Sequence, residues 1–319
     1  ATEDLDLKID AALKDVSRVL AGAKGNVAAT AHVLGPVDNP TADVGLSGGA
    51  VRYDRYALTR LRSTVAARDL TSNPKAKVDL AASLNGLPLT AALDAAVDTA
   101  NNRVAADGIR IRLGNTTVSG HVAWLGAGAD GALTLGSADL GEIGGLVGQD
   151  VHGSLDAQIA LDAPKGKQAA TVKAQLKSLA ASGVTVDAAT LAASGADLLG
   201  KDPGLDATLA ATGIKAADRA LDRLNAKVSG PLSALDVSAD ASGPDGSAAT
   251  AATIRAKSGE TAIILAKLDL AVNQVQAKLL NPAEITLRDG ETRVDRLAIG
   301  ARGGTLRLDA ALTEAGNSA

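Results

Sequence analysis

A two-residue alternation of apolar and polar side chains runs through the chain from end to end, carried almost entirely by Leu, Ile, Val and Ala. In Leu155-Asp156-Ala157-Gln158-Ile159-Ala160-Leu161-Asp162 the odd positions are apolar and most even ones polar. That places two chemistries on opposite faces of one strand. The same code recurs from Leu5 to Leu13, Ala76 to Leu84, Ile109 to Leu113, Leu205 to Ala211, Leu235 to Ala241, Ala266 to Val272 and Leu306 to Leu312. A pattern this uniform predicts an all-β chain that presents a long surface.

Composition decides how that surface is used. The 319 residues include no Phe, no Met, one Trp and two Tyr. Aromatic residues and Met normally fill the irregular middle of a globular core. A chain without them buries its apolar face thinly or leaves part of it open, so an extended sheet fits better than a compact core. The net charge of −4, with both signs dispersed, offers no overall basic face for nucleic acid. The densest basic stretch, Arg52, Arg55, Arg60, Arg62 and Arg68, could touch anionic lipid or a partner but reads better as a solvated sheet face. No Cys is present, which removes disulfides, thiol nucleophiles and Cys-ligated metals. The longest compact apolar run, Ala262 to Ala266, is far short of the roughly 20 residues of a membrane helix. The start at Ala1 and the tail Glu314 to Ala319 suggest an interior fragment of a longer protein.

Turn signals punctuate the alternation at intervals of about 8 to 15 residues, the spacing of antiparallel hairpins. They include Asn39-Pro40, Gly48-Gly49, Asn73-Pro74, Asn85-Gly86, Asp107-Gly108, Gly114-Asn115, Asp130-Gly131, Gly230-Pro231, Asp289-Gly290 and Gly303-Gly304. Roughly 20 to 25 strands stacked at about 4.8 Å would make a sheet on the order of 100 Å long. One or two short helices are also expected. Residues 10 to 24 are Ala-rich, and Ala217, Leu221 and Leu224 share a helical face, so these segments admit a helix as readily as a strand. Residues 140 to 148 suggest a single helical turn. No composition shift divides the chain, which reads as one elongated repeat-like domain over 1-319 whose softest points are 162–170 and 242–250.

The motifs that resemble chemistry lack their context. Gly126 to Gly131 spells GxGxxG, but a strand-like segment follows where the dinucleotide fingerprint needs a helix. Gly45-Leu46-Ser47-Gly48-Gly49 spells GxSxG, again with an extended continuation. His32, His121 and His152 are scattered without ligand spacing, and nothing near His121 or His152 suggests an orienting partner. The recurrent Asp residues fall on the polar face, where they keep a sheet soluble and discourage edge pairing. No catalytic residue, metal site or cofactor is expected. Tyr53, Tyr56 and Trp124 are too few for a base-stacking platform. Trp124 fits a groove lip or ordinary sheet packing.

Several segments taken in order resemble the TamB family. They are Gly35-Pro36 with its extended continuation, Gly48 to Asp54 into Tyr56 to Leu61, Val118 to Val122, Ser229 to Val237, and Leu287 to Gly290 running to Gly303 to Leu308. That family is the inner-membrane-anchored subunit of the bacterial translocation and assembly module, related to AsmA-like proteins. The similarity is diffuse and strongest over 33 to 161 and 228 to 313. It implies an elongated, U-shaped, taco-like antiparallel sheet with an apolar inner groove and a polar exterior. It further implies a periplasmic location, phospholipid transport toward the outer membrane, and an outer-membrane β-barrel partner in the full-length protein.

These readings converge on a non-enzymatic scaffold whose ligands are phospholipid acyl chains. The expected groove lining is Ile109, Ile111, Leu113, Leu155, Ile159, Leu161, Leu268 and Leu270. Two other readings stand beside it. One is a closed β-solenoid with a structural or adhesive role. The other is a sheet edge that binds unfolded barrel strands by β-augmentation.

Overall fold

The computed structural model describes residues 4–257, 259–273, 275–288 and 290–313. Among them are twenty-one strands, one short α-helix and two single 3-10 turns. The chain divides into two compact units, Ala1–Gln168 and Ala169–Ala319. The boundary falls within 162–170.

The first unit contains Asp4–Leu13 (β1), Ala23–Pro36 (β2), Thr41–Tyr53 (β3), Tyr56–Arg68 (β4), Lys75–Leu84 (β5), Leu87–Asp98 (β6), Arg103–Leu113 (β7), Thr116–Trp124 (β8), Ala129–Ser137 (β9), Gly141–Val147 (α1) and Val151–Asp162 (β10). Each strand from β1 to β10 pairs antiparallel with the next. Tight turns such as Asn85-Gly86 and Gly114-Asn115 set the register. At the first of these, Asn85 has φ 48° and Gly86 φ 90°, the positive values that a two-residue hairpin turn requires.

The second unit contains Ala169–Ala181 (β11), Val184–Ala196 (β12), Gly204–Ala216 (β13), Arg219–Pro231 (β14), Ala234–Gly243 (β15), Gly246–Lys257 (β16), Glu260–Val272 (β17), Val275–Leu279 (β18), Ala283–Arg288 (β19), Glu291–Ala301 (β20) and Gly304–Thr313 (β21). It is likewise an antiparallel meander, with one interruption. β18 and β19 share the same neighbours, β17 on one side and β20 on the other. Leu280-Asn281-Pro282 separates them, and a proline there removes a ladder donor.

Not every expected turn is a turn. Gly48-Gly49, Asp107-Gly108 and Asp130-Gly131 lie inside β3, β7 and β9. At Asp107-Gly108 the ladders slip in register, and Gly108 has φ 57°. This is a bulge, in which one strand contributes an extra residue. The expected turn at Asp289-Gly290 lies partly outside the described residues, and the tail from Glu314 lies wholly outside them.

The helix admitted for 214–224 is instead a hairpin, with β13 ending at Ala216 and β14 starting at Arg219. Its three-residue apolar spacing, Leu221 to Leu224, marks a break in the alternation. Such breaks recur where register slips. Leu58 and Leu61, Leu265 and Leu268, and Val294 and Leu297 flank slips in their ladders and remain on one face. Residues 10 to 24 hold the end of β1, a 3-10 turn at Val16–Arg18 and the start of β2. The short helix expected at 140 to 148 is α1.

Side chains also pin turns to one another. Asp202, between β12 and β13, accepts hydrogen bonds from the Ser233 amide at 3.0 Å and the Ser233 hydroxyl at 2.7 Å. The hydroxyl and then the amide hold the Asp202 carboxyl below its ordinary pKa. A depressed folded pKa adds stability above the ordinary carboxylate pKa, and that stability is lost as pH falls through the folded value. Protection of the Ser233 amide from hydrogen exchange, corrected for intrinsic pH dependence, should therefore hold at neutral pH and drop in acid. Asp202→Ala should remove it at every pH.

Candidate functional site

Residues opposed across an antiparallel ladder point to the same face. In the first unit one row can be followed across all ten strands: Ala11, Ala29, Leu46, Ser63, Leu80, Ala91, Ile111, Val118, Leu135 and Ala157. One residue along each strand, the row on the other face reads Asp10, Thr30, Gly45, Thr64, Asp79, Ala92, Arg110, Ser119, Thr134 and Gln158. The sheet thus has an apolar face and a polar one, as the alternation requires.

Six of the eight expected lining residues meet on the apolar face of this unit. Ile109 opposes Gly120, which opposes Leu133 and through it Ile159. Leu113 reaches Leu155 through Thr116 and Ser137, and Leu161 opposes Gly131 on β9. Ile111 is 37% exposed and the other five are half-buried. Leu268 and Leu270 belong to the second unit, on an apolar face of the same kind. Leu268 ends the row Ala174, Leu191, Leu209, Ala226, Ala239, Thr250. Leu270 opposes Ala248 and Ala277. Both are half-buried.

The apolar faces are not sealed into a conventional core. Of the ten buried apolar residues among those described, eight are Ala, and Leu61 and Leu146 are the others. The surface area is 19635 Å². Two compact domains of half this mass would together expose about 15,000 Å². Large apolar side chains account for part of the excess, among them Leu7 at 50%, Ile9 at 47%, Leu306 at 66% and Leu312 at 67%. These four lie on β1 and β21.

Depressions of about 450 and 520 Å³ open on the polar face of the first unit. The first is edged by Lys8, Asp10, His32 and Asp43, the second by Arg62, Asp79 and Arg110. A His32 ring nitrogen hydrogen-bonds Asp6 Oδ1 at 2.7 Å, which holds the Asp6 carboxyl below its ordinary range. His152 does have acidic neighbours, contrary to the sequence reading. Asp150 lies 3.2 Å and Asp139 3.8 Å away, because the loops on either side of α1 bring both carboxylates to the start of β10. This group is open to solvent, and no set of three or more potential ligands is placed to hold a metal among the described residues. No helix among them is long and apolar enough to cross a membrane. The GxGxxG segment runs from the β8–β9 loop into β9, which holds Ala129 to Gly131, and the GxSxG segment lies within β3.

Sequence reasoning missed α1 as a link between distant turns. Glu142 accepts the Asn115 amide at 2.6 Å and Asn115 Nδ2 at 3.1 Å. At the far end Arg55 Nη1 donates to the Val147 carbonyl at 3.1 Å. No family model, no curated protein and no solved structure matches this chain.

Proposed function

We propose that this chain is a non-enzymatic scaffold whose apolar faces hold the acyl chains of phospholipids. The row from Ala11 to Ala157, in register across β1 to β10 and apolar at every position but Ser63, carries this reading. Exposed apolar area costs about 25 cal/mol per Å², so a surface of this extent favours any occupant that covers it. The face offers few fixed polar contacts and many small Ala side chains, which suits a long, flexible hydrocarbon better than a ligand recognised by direction. The resemblance to the TamB family supports the same reading and supplies its setting. That setting is a periplasmic segment of an inner-membrane-anchored protein that moves phospholipid and assists outer-membrane barrel assembly.

Mass spectrometry of organic extracts from the purified chain, against a matched protein control, tests this. About one phospholipid or more per chain is the expected result. A folded, β-rich sample that yields none overturns it.

A second reading is favoured by β1 in the first unit and β21 in the second. β1 and β21 each have ten residues without proline, and among the described residues each pairs along one side, with β2 and β20 respectively. Such edges suit β-augmentation by an unfolded barrel strand. Cross-linking from β1 or β21 to a barrel peptide would favour this reading over lipid carriage. The hairpin path of both units differs from the parallel coils of a β-helix, which weighs against the solenoid alternative.

A further inference from the structure

We propose that α1 is a removable strap over one set of strand ends in the first unit, and that it regulates acyl-chain access to the apolar face there. The proposal rests on the lipid reading above. β9 and β10 are joined through a helix where most neighbouring strands are joined by tight turns. One tether of that helix stays beside β9 and the other reaches well away from it. Glu142 is bonded in the β7–β8 turn, and Val147 is bonded to Arg55 in the β3–β4 turn. Five ladder steps separate β4 from β9, about 24 Å in a flat sheet. Seven helical residues advance about 10 Å. The helix therefore runs across the strand ends, and the Arg55 side chain helps to complete the span.

The β8 and β9 ends beside α1 are shielded. Thr116 and Ser137, in the apolar-face row between Leu113 and Leu155, are 7% and 4% exposed. Their hydroxyls are 2.8 Å apart, and Ser137 donates onward to the Asp139 carbonyl in the segment leading into α1. Leu146 of α1 is itself buried. At the opposite strand ends, Val104 and Trp124 are cross-strand partners and are 50% and 46% exposed. The shielding is local to the β8 and β9 ends, since Tyr53 at the β3–β4 turn on the strapped side is 48% exposed.

The strap is built to lift. Three of its seven residues are Gly141, Gly144 and Gly145. A helix this short and this rich in glycine has little stability of its own. The Leu140 amide bonds the Gly153 carbonyl of β10 at 2.8 Å and hinges one end of the helix, while the Arg55 and Glu142 tethers that hold it over the neighbouring turns both join exposed groups.

Because the chain has no Cys, Thr116→Cys would carry a unique thiol beneath the strap. Its labelling by an apolar maleimide should be slow, and about tenfold faster once Arg55→Ala and Glu142→Ala are added, a ratio equivalent to about 1.4 kcal/mol. Ala189→Cys, buried in the second unit, should stay protected in both backgrounds. Equal rates at Thr116→Cys with and without the tethers overturn the strap, as does simultaneous loss of protection at Ala189→Cys. Labelling requires no lipid, so the two readings fail separately. Tether-dependent labelling without co-purified phospholipid upholds the strap and refutes its acyl ligand. Co-purified phospholipid with tether-independent labelling does the reverse.

Discussion

Replacing Gly120 with alanine is expected to destabilise the first unit by about 3 kcal/mol or more, through backbone strain and a direct clash. Gly120 has φ 145°, which L side chains rarely adopt, and a Cβ built there would lie 1.9 Å from the Ala132 carbonyl oxygen of β9. The obstacle is backbone already committed to the β8–β9 ladder, so relief means separating the strands. Gly246 poses the same problem in the second unit, with φ 150° and the Ala271 carbonyl oxygen 1.9 Å away. Gly145 makes the contrasting case. Nothing lies within 4 Å of its missing Cβ, and it sits in a helix. Gly145→Ala should stabilise α1 by about 0.5 to 1 kcal/mol. Urea unfolding followed by fluorescence of Trp124, the one Trp in the chain and a residue of β8, reads the Gly120 change where it acts. An unchanged midpoint for Gly120→Ala would contradict the close approach.

The same glycine chemistry explains where the sequence was legible and where it misled. Strict alternation identifies strands, and a two-residue turn such as Asn85-Gly86 fixes register. Together they predict a shared face for Ile109, Ile111, Leu113, Leu155, Ile159 and Leu161, and the ladders place these six on one face. A glycine with positive φ serves a bulge as well as a turn, however. Asp107-Gly108, at a bulge, and Asp130-Gly131, in a ladder without a slip, therefore read as chain reversals although the strands continue through them. A break in the alternation leaves apolar residues three apart, as at Leu221 and Leu224, and that is also the spacing of a helical face. The tethers of α1 left no local trace. Arg55 and Val147 are 92 residues apart, and neither residue type announces a partner. The assignment of Leu268 and Leu270 to a different unit from the other six depends on how contacts cluster, which alternation does not encode.

A charge placed on the apolar face should expel lipid, and the same charge one residue away should not. Ile159 is half-buried and opposes Leu133, whereas Gln158 is exposed on the other face opposite Thr134. An acyl chain lying over Ile159→Glu must leave a carboxylate unsolvated or force it to take up a proton, at a cost of several kcal/mol. Each 1.4 kcal/mol is about a tenfold loss of affinity. Co-purified phospholipid should fall about tenfold or more in Ile159→Glu and Ile111→Glu. It should change less than about twofold in Gln158→Glu and Arg110→Glu, by the same conversion. Neither isoleucine is fully buried, so the variants should keep their β-sheet circular dichroism and the loss would report on the ligand. Substitutions on the polar face make the comparison decisive because they alter net charge without touching the acyl surface. Equal losses from both faces would mean that phospholipid is held through headgroup charge or by adventitious adsorption, and the apolar face would no longer be its binding surface.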